Sequence, residues 1–182
     1  MRGYGNTVIT GDGCSRGFLW LFKTKDKLIC RGNIEALLDY NLCSRGEHPP
    51  MERFCYNAMF KCCTSLVEAP SLPATELVSS CYELMFKGCT SLKEAPALSA
   101  RKLNWYCYES MFEGCTSLTE APALPATELV SSCYESMFKG CISLTEAPAL
   151  PATELVEGCY DKMFEGCTSL KDRSNLLESC FE

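Results

Sequence analysis

The chain has 182 residues, of which 47% are hydrophobic, and a formal net charge of −6. No run approaches the roughly 18 apolar residues that a membrane span needs, and the acidic balance is the reverse of a nucleic-acid surface. A chain of this length and composition buries its core as one continuous domain.

Residues 1–50 read as a segment of their own. The opening MRGYGNTVIT has no apolar stretch of signal-peptide type, and GFLWLF (Gly17–Phe22) is too short and too late to be one, so no export signal is visible. GFLWLF and KLIC (Lys27–Cys30) flank KTKD and predict a β-hairpin. Asn33 is placed to N-cap a short helix over IEALLDY, and these elements together predict a cap on the longer C-terminal part of the chain. LCSRGEHPP (Leu42–Pro50) is polar, ends in two prolines and reads as a loop, with His48 as a solvated side chain within it.

Residues 51–182 are organised by repetition. A Cys-Tyr pair recurs at Cys55, Cys81, Cys107, Cys133 and Cys159, a constant step of 26 residues, within a shared pattern CYxxMFxGCTSLxxAPxLPATxL. A fixed period in this range predicts a stacked repeat, a solenoid. Cys81, Met85 and Cys89, with Phe86 beside them, fall on one face of a short helical turn. Gly88, matched by Gly114, Gly140 and Gly166, suits a positive φ at its exit. Leu92, Ala95 and Leu98 read as a short extended segment stacked as a parallel strand at about 4.8 Å. Pro70, Pro96, Pro122 and Pro148 each delete a ladder donor, so that sheet is expected to be narrow or interrupted. Leu77, Leu103, Leu129 and Leu155 then close each coil over the core. The predicted class is an α/β repeat with short parallel strands, short helical turns and an N-terminal hairpin and helix cap. Phe60, Phe86, Phe112, Phe138 and Phe164 are expected in one buried stack. After Leu170 the pattern breaks into KDRSNLLESCFE, an incomplete last coil or C-terminal cap with Leu176 and Phe181 on apolar columns. A bare solenoid end would invite self-association.

The run FxGCTSLxxAP followed by LPATxL resembles the bacterial leucine-rich repeats of the BspA-like class, with Phe86, Cys89 and Leu92 on its core positions. The likeness extends from Cys55 to about Leu170. The period is three residues longer than is usual there, and Ala replaces Ile in the strand. RGNIEALLDY (Arg31–Tyr40) also resembles the region that precedes such arrays in gut Bacteroidetes relatives. The resemblance implies a leucine-rich-repeat solenoid, surface-located or secreted, that recognises a protein or glycan, and it brings no catalytic residues. It also leaves open a structural spacer or a phage or virion component.

Ten of the fifteen cysteines lie on two columns, one from Cys55 to Cys159 and one from Cys63 to Cys167. Equivalent residues on adjacent rungs have parallel Cβ vectors, which opposes bridging, so reduced core thiols are expected over disulfides. No CxxC occurs and His48 is the one histidine, which speaks against a metal site. No Ser/His/Asp set or Gly-rich phosphate loop stands out, so neither catalytic nor cofactor residues are expected.

Charge divides near residue 54, with 8 Lys/Arg against 6 Asp/Glu before it and 9 against 17 after it. Glu68, Glu94, Glu120 and Glu146 share one column and Glu83, Glu109, Glu135 and Asp161 another. They read either as a solvated face partly neutralised by Lys87 and Lys93, or as a strip for a basic partner or a divalent cation. The third junction, ARKLNWYCY, departs furthest from its siblings. Aromatics with Arg are the usual interface anchors, so Arg101, Lys102, Trp105 and Tyr106 are the candidate partner surface, beside Glu94, Glu120 and Glu146. The alternative is a private substitution on the outer face.

Overall fold

The computed structural model describes residues 26–174 and 176–182. In chain order these hold β1 (Leu28–Ile29), a 3-10 helix (Ile34–Leu37), α1 (Tyr40–Ser44), β2 (Leu66–Glu68) and a second 3-10 helix (Glu178–Cys180). Asn33 caps the first helix, its side-chain oxygen accepting from the Glu35 N–H at 2.8 Å. Asp39 then caps α1 by accepting from Asn41 and Leu42. A helix therefore occupies Leu42–Ser44, where a loop was expected, because Asp39 supplies a second start signal. The first arm of the expected hairpin, Gly17–Phe22, lies outside the described residues. Its second arm supplies β1, which pairs in parallel with β2 of the first copy.

The first half of each copy is not a helix. It is a ribbon of overlapping turns in which even- and odd-numbered N–H groups point to different places. Odd-numbered N–H groups close turns three residues back, as in Asn57 to Phe54, Met59 to Tyr56 and Cys63 to Phe60. Even-numbered ones leave the copy: Tyr56, Ala58, Phe60 and Cys62 donate to the carbonyls of Cys81, Glu83, Met85 and Lys87 at 2.7–2.9 Å. The same ladder repeats from copy to copy, as in Phe86 to Met111, Phe112 to Met137 and Phe138 to Met163. An α-helix would return every N–H to its own chain and leave none for a neighbour. Stacking is also too close for helices, which pack about 8–10 Å apart. The Phe60 and Phe86 ring centroids are only 5.5 Å apart and nearly parallel.

Every fourth residue of the ribbon takes a positive φ, as at Ser80, Leu84 and Gly88, or at Ser132, Ser136 and Gly140. Four residues per turn keep i and i+4 on one face, so Cys81, Met85 and Cys89 are all buried as a helix would have buried them. Phe60, Phe86, Phe112, Phe138 and Phe164 form one buried stack, and Tyr56, Tyr82, Tyr108, Tyr134 and Tyr160 form a second. Each aromatic pair adds about 0.5–1.5 kcal/mol beyond its area burial.

The second half of each copy is extended but scarcely a sheet. Apart from β1 and β2, the described copies meet there through isolated parallel bridges such as Leu72 with Leu98, Glu76 with Lys102 and Glu94 with Glu120. The recurrent prolines deny it donors. Leu77 is buried, whereas Leu155 is 51% exposed, so the closing leucine column does not seal the fourth copy. The ribbon, in contrast, is finished by Ser179 and Cys180, whose carbonyls accept from Lys162 and Phe164. Phe181 extends the ring stack at 6.2 Å from Phe164 and lies under the Arg173 guanidinium.

All fourteen described cysteines are free thiols. Those of the second column bond across copies, with the Sγ of Cys89, Cys115, Cys141 and Cys167 donating to the carbonyls of Phe60, Phe86, Phe112 and Phe138 at 3.1–3.2 Å. Burial pushes Cys89 up to about 12 and Cys133 and Cys167 up to about 11, which suppresses the reactive thiolate. Cys62 differs. It stands on the glycine column at φ 60 and is the one exposed thiol among the described residues. A maleimide pulse on the folded protein is expected to label Cys62, and the ten column cysteines only after denaturation. Cys62→Gly removes a strained left-handed side chain and is expected to raise stability by about 1 kcal/mol, read from denaturant midpoints.

Candidate functional site

The third junction, Ala100–Tyr108, closes the second copy and opens the third. The side chain of Asn104 organises it, Oδ1 accepting from the Trp105 N–H at 2.9 Å and from Ser79 Oγ at 3.0 Å. The Trp105 carbonyl accepts from the Ser80 N–H at 2.9 Å, so the backbone carrying this ring is held on both sides. Trp105 is 58% exposed and Tyr106 44% exposed. Both rings project outward from a fixed frame.

Tyr106 is unusual in two further respects. Its φ is 59, at a column position occupied elsewhere by Phe54, Ser80, Ser132 and Gly158. A bulky residue in the left-handed region costs about 1–2 kcal/mol. The corresponding N–H groups of Phe54, Ser80 and Ser132 donate to Ser79, Trp105 and Glu157, but no such bond joins Tyr106 to Ser131. The copy-to-copy ladder thus opens where the aromatic substitution occurs.

Arg101 is exposed, and its N–H donates to the Thr75 carbonyl at 3.0 Å. Lys102 pairs with Glu76 of the preceding junction, with both side chains largely in solvent, so the pair is worth little. Glu94, Glu120 and Glu146 are exposed, and Glu94 and Glu120 are paired across copies through the backbone. Among the described residues no ion pair connects these three carboxylates to Arg101 or Lys102. The expected continuous surface is therefore two features: an aromatic junction and an acidic strip. At the head of that strip Arg31 takes both oxygens of Glu68 at 2.6 and 2.8 Å, and the bond holds the Glu68 carboxyl below its ordinary range. Among the described residues no three carboxylate, thiol or imidazole groups gather as a metal site would require.

The second acidic column is more enclosed. Lys87 bonds Glu113 and Lys139 bonds Glu165, each at 2.7 Å, so the lysines neutralise the neighbouring column. Glu109 is pushed up to about 7, first by burial and then by Glu83 and Glu135, with Lys87 opposing. A carboxyl raised in the folded state stabilises relatively more when protonated. Stability is thus expected to fall as pH rises from about 4.5 to about 7 and then to level off. Glu109→Gln should exceed the unaltered chain in stability at pH 8, by on the order of 1 kcal/mol after solvent screening, and match it at pH 4. Thermal melts at the two pH values read this directly.

One pairing has no counterpart among the sequence-based expectations. His48 is not simply solvated: its Nδ1 lies 2.8 and 3.1 Å from the two oxygens of Glu35, which is 1% exposed. The hint is a glutamate beside Ile34 in the IEALLDY run, on a face that otherwise goes into the core.

Comparison with protein-family models, with curated proteins and with solved structures returns no match. No helix among the described residues is long and apolar enough to cross a membrane.

Proposed function

We propose that this chain is a non-enzymatic binding module, a solenoid related to the leucine-rich repeats of the BspA-like class. It recognises a protein or glycan at a bacterial surface through the third junction. The observation that supports this reading is Trp105–Tyr106, an outward aromatic pair on a held backbone, where the later and immediately preceding copies place Ser79–Ser80, Ser131–Ser132 and Glu157–Gly158. Packing does not require either ring, and Tyr106 is kept at a backbone cost, as residues selected for contact often are. Arg101 supplies a cation at the rim. The separate acidic strip adds a preference for basic partners, and the exposed Leu155 near the C-terminal end offers a place for self-association.

A structural spacer or virion component is the second reading, favoured by how little the copies differ. Glycan arrays and pull-downs with the folded chain separate the two, because a spacer tolerates scrambling of its surface positions. Truncating a central interface anchor costs about 2 kcal/mol or more, roughly thirtyfold in affinity. Trp105→Ser and Tyr106→Ser are expected to weaken a captured partner by that factor while leaving the melting temperature equal or higher. Unchanged affinity with a lower melting temperature would show that the rings serve packing.

A further inference from the structure

Where the chain before the first copy meets the second junction lies a cleft of about 450 Å³, lined by His48, Pro50 and Met51 from the one and by Thr75, Leu77 and Val78 from the other. The register of the copies places it. Pro49 and Pro50 stand 26 residues before Thr75 and Glu76, where a preceding junction would lie. Between the second and third junctions the chain zips, with Arg101 N–H donating to Thr75 and Leu77 N–H to Lys102 at 3.0 and 2.9 Å. One step earlier the counterparts would run from the Thr75 N–H to the Pro49 carbonyl and from the Met51 N–H to the Glu76 carbonyl; neither forms among the described residues, and the walls stand apart.

One end of this cleft carries built chemistry. The buried Glu35 carboxylate faces His48 Nδ1, which makes Nδ1 the protonated nitrogen of the neutral ring and leaves the Nε2 lone pair free. The His48 side chain is 45% exposed, so Nε2 is within reach of a ligand. Proline, methionine and leucine supply apolar walls, and a thioether is a good neighbour for an aromatic ring.

We propose that this cleft binds a small aromatic alcohol of the phenol class, its hydroxyl donating to His48 Nε2 and its ring lying against Pro50, Met51 and Leu77. Glu35 is a positioning residue: it fixes the tautomer and orientation of the imidazole without touching the ligand. The site is independent of the aromatic junction.

The chain contains one histidine, so its imidazole signals identify themselves in an NMR titration. Phenol is expected to shift them saturably at millimolar concentration, and benzene to bind about fivefold more weakly, the worth of one hydrogen bond. Glu35→Gln should weaken phenol by a similar factor. His48→Ala, at an exposed position, should abolish the difference between phenol and benzene as followed through the methionine methyl signals, and serves if Glu35→Gln does not fold. Linear shifts without saturation, equal affinities for the two probes in the unaltered chain, or a proton on Nε2 at pH 8 would each overturn the proposal.

Discussion

Every second peptide N–H of a turn ribbon has its acceptor in the next copy, and the rest of the structure depends on that obligation. A copy alone would leave these donors to water and its Met, Phe and Tyr side chains half uncovered. A neighbour satisfies both at once, so hydrogen bonding and apolar burial are gained in one step. Cooperativity of this kind is nearest-neighbour in nature, as in repeat proteins generally. The left-handed residue at every fourth position is its geometric condition, since it turns alternate N–H groups out of the ribbon. Glycine meets that condition at Gly88, Gly114, Gly140 and Gly166. Elsewhere serine, leucine, lysine, alanine, cysteine and the aromatics Phe54 and Tyr106 stand there.

The thiol column belongs to the same system. The Phe60, Phe86, Phe112 and Phe138 carbonyls, each closing a turn, also receive a cysteine from the adjoining copy, as Phe86 receives both the Cys89 N–H and Cys115 Sγ. Cysteine is small enough for the ring spacing and apolar enough for the core, yet keeps one weak donor. That combination accounts for a residue otherwise surprising in such number. It ties the inertness of the thiols to their structural use.

The period, the buried columns and the ring stacks were legible because a strict 26-residue recurrence restricts what each column can do. The ribbon was not, because i, i+4 spacing serves a helix and a four-residue turn equally well. The distinguishing signs are weak singly: the counterparts of Gly88 in every later copy, and Ser80, Ser132 and Gly158 just before three of the Cys-Tyr pairs. Trp105 and Tyr106 stood out as departures at positions that packing leaves free. Glu35 and His48 did not, since their contact depends on how the helix at Ile34–Leu37 turns toward a loop thirteen residues on. A buried charge facing a distant imidazole leaves almost no periodic trace.

The interchangeability of the copies bears on how such a chain changes over generations. Because the ladder joins like positions, excising any 26 consecutive residues within the array rejoins two surfaces that already fit, and duplicating them inserts another of the same kind. Near-identical stretches such as EAPALPATELV at Glu120–Val130 and Glu146–Val156 are the substrate that unequal recombination needs. Length can therefore vary in whole coils without a misfolded intermediate form. The aromatic junction, present in one coil alone, would be gained or lost as a unit.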